Sequence, residues 1–258
     1  MKKFIKKPKL LFFILLVFVL ILFFNKKTTQ RIVINNKVIE NKIPLYLKIN
    51  NHWNRHQNYK RLVKNINSNQ KNLQNSVINT ARWVNLNIKK IPPGVDIIDS
   101  DPLTIVERRL GAQYQFSDLL SVLLIYLDIE TIFHNHTSHQ LTLFKINESW
   151  SVLDPYYGVY FVNDDKDFAS IENLKNTNWE IVNYDSEKID TDEISKFFLG
   201  ISDSYDEVKE YYQKIFINLQ SSQKLNNINI FERSGRGYIQ KPINRIKYEL
   251  YKLFYLKQ

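Results

Sequence analysis

The chain has 258 residues, 44% hydrophobic and 14% aromatic, which is enough apolar material for one ordinary domain with appendages and too much for global disorder. Its formal net charge is +10, yet seven of its 36 Lys/Arg lie in residues 1–27, which hold no acid; the charge belongs to that flank and to the basic C-terminus rather than to a phosphate-binding face, so nucleic acid is not an expected partner. Cysteine is absent, which excludes disulfides, thiolate zinc sites and any thiol nucleophile.

Leu10 to Phe24 is an unbroken run of fifteen apolar residues between lysines. A cleaved signal peptide would need small residues near its end, and Leu20-Ile21-Leu22-Phe23-Phe24 offers none. A soluble helix that is apolar all round would need a cover. The run therefore predicts an uncleaved signal anchor over 1–27, a single-pass transmembrane helix with the membrane as its partner. At 1.5 Å per residue it reaches only about 22 Å, against about 30 Å of hydrocarbon, so spanning requires snorkelling lysines or local thinning. Five lysines within the first nine residues predict a cytoplasmic N-terminus and an extracytoplasmic body, whether periplasmic, cell-surface or lumenal.

Residues 28–71 read as a juxtamembrane segment, extended over 31–48 and polar without clear periodicity over 52–70. Leu73, Val77, Ala81, Val84 and Ile88 recur at helical steps and predict a helix with one buried stripe. Pro92-Pro93-Gly94 ends that region. Phe116, Leu119, Leu120, Leu123, Leu124 and Leu127, with Val122 and Ile125, make a second helix that is apolar almost all round and hence central. Strands are predicted at 129–134, 139–146, 149–153 and 179–184, with Asn147-Glu148 as a hairpin link. Beyond 186 the pattern returns to helix. Ser204 and Glu207 resemble a capping box, Gly235 and Gly237 mark a turn, and Ile243, Ile246, Leu250, Leu253 and Phe254 suggest a last amphipathic helix. The order describes an α+β chain with a core over 72–185 and a helical extension over 186–258.

The stretch from Arg108 to Gly158 carries the chemistry. Arg109-Leu110-Gly111-Ala112-Gln113 leads into the apolar helix. Asp128-Ile129-Glu130-Thr131 turns into the first strand, His139 opens the next, and Trp150-Ser151-Val152-Leu153-Asp154-Pro155 precedes Tyr157-Gly158. These residues resemble the core of the transglutaminase-like superfamily, relatives of papain-type cysteine proteases. The resemblance implies a transglutaminase-like (papain-like) core with a buried central helix against an antiparallel sheet. It further implies triad positions at Gln113, His139 and Asp154, with Tyr114, Trp150 and Tyr157 lining a cleft. The departure is at the nucleophile, because Gln113 stands where the family has cysteine and the family's usual glycine near Asp128 is missing. A carboxamide cannot start acyl transfer.

Blander readings stand beside each residue. Gln113 can cap a helix, His139 can be an ordinary strand histidine, and Asp154 before Pro155 can be a turn former. Ser117 lies one helical turn beyond the nucleophile position. His134, His136 and His139 form a short histidine tract, but no second ligand cluster accompanies it, so neither a metal nor another cofactor is expected. The resulting expectation is a membrane-anchored, catalytically inactive domain binding a peptide, a glycan or a protein partner at the outer membrane face. The alternative is a non-thiol hydrolase or acyltransferase using His139 and Asp154.

Overall fold

The computed structural model of the protein describes residues 8–34, 37–92, 101–135, 139–184, 205–229 and 237–255. The chain divides into two compact units, Met1–Arg55 and His56–Gln258.

The first unit begins with helix α1 (Pro8–Asn25). Its apolar residues from Leu10 to Phe24 are all exposed. No helix among the described residues is long and apolar enough to cross a membrane. The helix has 18 residues, of which the apolar run is fifteen, and a rise of about 1.5 Å per residue leaves it short of the hydrocarbon thickness. This overturns the signal anchor and transmembrane helix expected over 1–27, and with them the single-pass membrane placement of the body. The next residues are extended and pair with one another. Strands β1 (Lys27–Ile34) and β2 (Lys37–Pro44) form an antiparallel hairpin. Helix α2 (Leu45–Ile66) follows where the polar sequence shows no clear period. Its buried residues are only Tyr59 and Val63, too few to stand out.

The second unit is mixed α/β and layered. Helix α3 (Leu73–Asn87) is capped by the Asn72 side chain, which accepts from the Gln74 amide. Val77, Ala81, Val84 and Ile88 of the expected stripe are buried, while Leu73 is exposed. A two-residue strand β3 (Lys89–Lys90) lies parallel to β4 (Leu110–Gly111), on either side of helix α4 (Pro102–Arg108). Helix α5 (Gln113–Tyr126) is the central helix, with Phe116, Leu119, Leu120, Val122, Leu123 and Leu124 fully buried.

A five-stranded antiparallel meander follows: β5 (Thr131–Asn135), β6 (Gln140–Ile146), β7 (Ser149–Asp154), β8 (Val159–Val162) and β9 (Glu180–Asn183). Strand β8, hidden in the sequence behind the tyrosine-rich turn, is the one the periodicity does not separate. Asn147 and Glu148 take φ of 48° and 62°, the left-handed pair that a two-residue hairpin turn requires.

Alternation along these strands builds two cores. Phe144, Ile146, Leu153, Tyr160 and Val162 pack with α3 and α5. Leu141, Leu143, Trp150, Val152, Val159 and Phe161 pack with α6 (Ile171–Lys175), α7 (Tyr205–Ile217) and α8 (Ser222–Asn227). The sheet is therefore covered on both faces, and its strands are buried almost continuously. A 3-10 turn at Tyr238–Gln240 leads into helix α9 (Pro242–Tyr255). The apolar stripe of α9 is not packed inward: Ile243, Ile246, Leu250 and Phe254 are exposed. Ser204, Gly235, Pro93 and Gly94 lie outside the described residues.

Candidate functional site

The site forms where the start of α5 meets the end of the sheet. Gln113 is the first residue of α5, and what holds that start in place is Gln115 two residues on. Its Oε1 accepts from the Ala112 amide at 3.0 Å and from the Arg108 guanidinium at 2.9 Å. Arg108 also donates to the Leu110 carbonyl at 2.7 Å. The basic residue bracing the lead-in is thus Arg108, while Arg109 turns the chain through a left-handed φ of 55°. At Gly111 a Cβ would sit 3.1 Å from the Ile88 side chain, so glycine lets β4 approach α3 closely.

Two hydroxyls fix α5 against β6. Ser117 donates to the Gln140 carbonyl at 2.8 Å, and Thr142 donates to the Ser117 carbonyl at 3.2 Å. Ser117 is wholly buried and serves as a spacer, not a nucleophile. His139, immediately before β6, is brought over Gln113 by this tie. The Gln113 Nε2 lies 2.6 Å from His139 Nδ1. On its far side, His139 Nε2 lies 2.5 Å from Asp154 Oδ2.

Asp154 is fully buried, as is the imidazole of His139. Burial of a carboxylate is expensive unless it is satisfied. Four donors meet this one. Besides His139, the Tyr212 hydroxyl of α7 donates to Oδ2 at 2.6 Å, and the amides of Tyr156 and Tyr157 donate to Oδ1 at 3.1 and 3.0 Å. Because a carboxylate only accepts, the His139 Nε2–H donates to Asp154, and in that tautomer of the neutral imidazole Nδ1 accepts from the Gln113 amide. The four side chains form one directed chain, with Gln113 donating to His139, His139 to Asp154, and Tyr212 closing it from the other layer.

Aromatic rings surround the imidazole. Tyr157 stacks on it with centroids 5.2 Å apart and planes 8° from parallel, and Tyr211 and Tyr212 meet it edge-on. The turn carrying Tyr156 and Tyr157 is pinned by Asn85 of α3, which donates to the Pro155 carbonyl at 3.0 Å. Gly158 closes that turn at φ +78°, and a Cβ there would come within 3.0 Å of Asn85. Lys90 of β3 extends its amine over the rings of Tyr156 and Tyr157, 4.6 and 5.2 Å from their centroids. Burial lowers the Lys90 pKa, against the opposing pull of Asp154. Burial likewise pushes the Tyr157 and Tyr212 hydroxyls up, with Asp154 adding to it, so both stay protonated.

Of the residues singled out in the sequence, Gln113, His139, Asp154 and Tyr157 come together here. Trp150 does not line the site. It is wholly buried in the second core, and its indole N–H donates to Asn226. Strand alternation explains this, since β7 buries both its faces. Tyr114 has Arg108 and Asp118 as its charged neighbours rather than the imidazole. In the histidine tract, His136 and the His134 side chain lie outside the described residues, and among the described residues no cluster of three or more metal-ligating side chains occurs. Asp128, where the family glycine is missing, holds φ 62°, a left-handed conformation that Asp tolerates better than most residues. Tyr212, Lys90 and Tyr156 were not singled out. Tyr212 looks like any member of a helical stripe, and Lys90 like one of many lysines.

The fold and site together define a layered α/β domain with a buried amide–imidazole–carboxylate chain at one end of its sheet. Comparison with protein-family models, curated proteins and solved structures finds no match in any of the three. No relative supports the transglutaminase-like label.

Proposed function

We propose that this end of the sheet is a non-catalytic recognition site, in which the carboxamide of Gln113 reads an amide-bearing ligand, a peptide or a glycan, beside the ring of Tyr157. The observation that carries this reading is the 2.6 Å contact between Gln113 Nε2 and His139 Nδ1. It orients the carboxamide, because one amide hydrogen is committed to the imidazole. The carbonyl oxygen and the second amide hydrogen are then presented in a fixed sense, which is the donor–acceptor pair that an amide ligand complements. The Asp154 and Tyr212 bonds behind the imidazole make that orientation rigid. The likeness to a transglutaminase-like triad, with an amide in place of sulfur, belongs to this proposal and rests on the same geometry.

The same contact weighs against a hydrolase in which His139 activates water. A general base needs a free lone pair within reach of the proton it takes, and the one available lone pair of His139 is occupied by Gln113.

Calorimetric titration of short peptides and N-acetylated glycan fragments tests the reading. A ligand is expected whose binding is lost in Gln113→Ala and weakened in Tyr157→Ala. Binding unchanged in both variants, or amide or ester turnover that disappears with His139→Ala, would overturn it.

A further inference from the structure

We propose that α9 is a surface-lying helix, which rests its apolar stripe on an anionic lipid bilayer without crossing it. The helix is mounted the wrong way round for a soluble core. Ile243, Ile246, Leu250 and Phe254 are 69%, 62%, 48% and 71% exposed, whereas Arg245, Tyr248, Glu249, Tyr251 and Lys252 are half-buried. Steps of three, four and four residues keep the four apolar side chains on one face, and a helix that packs only for stability turns that face inward. Here the polar side is the one that is fixed. Glu249 takes both Arg245 and Lys252 at 2.7 Å, and the Lys252 amine lies 4.8 Å from the Tyr248 ring centroid. Just before the helix, Lys241 pairs with Asp128 and lies over the ring of Tyr126 at the end of α5. The start of α9 is thereby held to the body while its stripe faces outward.

Charge selects the occupant. Residues 241–258 carry five Lys/Arg against one Glu, and Lys247, four residues after Ile243, is exposed at the edge of the stripe. A second copy would bring the same cations together across the seam. A nucleic acid would answer the cations but leave the stripe in water. An anionic bilayer answers both, with acyl chains under the stripe and headgroups beside the lysines. With 14 residues at 1.5 Å rise, the helix covers about 21 Å of such a surface, and its charged side keeps it from crossing.

The experiment uses the full chain, which has no cysteine, so one environment-sensitive thiol label reports one position. Ile246→Cys on the stripe and Asn244→Cys off it are labelled and titrated with phosphatidylcholine vesicles, plain or with about one-third phosphatidylserine. The label on Ile246→Cys is expected to blue-shift at a lipid concentration about tenfold lower on anionic than on plain vesicles, since each basic residue near such a surface contributes roughly fivefold. The label on Asn244→Cys should stay unchanged. Adding Leu250→Asp to Ile246→Cys should remove the shift, and adding Lys247→Glu should weaken the anionic preference about tenfold. Both positions are exposed, so the helix content read by circular dichroism should be retained. No shift at either label overturns the inference, even if the chain sediments with lipid, because another segment then holds the bilayer. Equal shifts at the two labels, or equal affinity for plain and anionic vesicles, overturn it as well. So does a shift that grows with protein concentration without lipid, which identifies a second copy as the cover.

Discussion

Two aspartates, Asp154 at the end of β7 and Asp118 on α5, show what burial does to a carboxylate with and without donors. Asp154 is completely dehydrated, yet it is met by His139, Tyr212 and two backbone amides. Asp118, on α5 itself, is acted on chiefly by burial and then by the like charge of Asp101, and its carboxyl is raised to about 7. Asp101, its neighbour, has donors of its own, the Tyr59 hydroxyl at 2.8 Å and the Leu103 amide at 3.0 Å. One carboxylate is embedded in a network that needs its charge; the other sits where charge is a cost. An acid in the first place supports a site, while in the second it burdens the fold.

The comparison breaks most easily at Asp154. Replacing it by Ala leaves four donors facing a void, and a loss of about 3–5 kcal/mol in unfolding free energy is expected, read by chemical denaturation. A loss below about 1 kcal/mol would mean that the network does not hold the layers together.

Asp118→Asn should act in the opposite sense. With its folded pKa above the ordinary value, the folded state holds the proton more tightly than the unfolded chain. Stability contributed by the protonated group is present at low pH and disappears as pH rises from about 4 towards 7. The Asn variant should therefore be more stable than wild type by about 4 kcal/mol at pH 8, and equal to it near pH 3.5. Denaturation curves at the two pH values check both halves of that statement.

Tyr212→Phe removes one donor from Asp154 and keeps the ring that packs on Phe161 and Phe216. A cost of about 2 kcal/mol is expected for a hydrogen bond to a buried charge, accompanied by a change in the His139 imidazole signals in an NMR pH titration. Loss of stability with unchanged imidazole signals would reduce Tyr212 to a packing residue. Gly158→Ala should cost about 1–2 kcal/mol, because an alanine must hold φ +78° against Asn85. The smallest effect belongs to Gln113→Ala, below about 1 kcal/mol in thermal or chemical unfolding, since that side chain is only half-buried and its partner stays held by Asp154. A half-buried residue whose removal barely touches stability but abolishes binding is what separates recognition from scaffolding.

Much of the second unit is legible in its residues because the signals are local. The Leu-rich period of α5 demands a central helix, and the alternation over 139–154 demands paired strands. Gln113, His139 and Asp154 are a set in the sequence only through the resemblance their motif carries, and the fold brings the three into contact. What spacing does not contain is the partner supplied from far along the chain. Tyr212 lies 58 residues beyond Asp154, and its hydroxyl has meaning only once α7 packs on the sheet. Lys90 becomes a site residue only when β3 pairs with β4 across α4. Trp150 shows the converse. Its place in the motif suggested a wall of the cleft, and the pleat of β7 turns it into the second core instead.

The amino-acid order alone determined the absence of thiol chemistry, because no packing can supply an atom the chain lacks. It also determined the period of α5 and the alternation of the strands, which follow from backbone geometry. Tertiary structure decided which polar groups meet, since hydrogen bonds act over about 3 Å and neighbours in space are distant in sequence. It also decided the consequence of the Leu10–Phe24 run: its composition is plainly apolar, but a span is a length, and the helix it forms falls short of one.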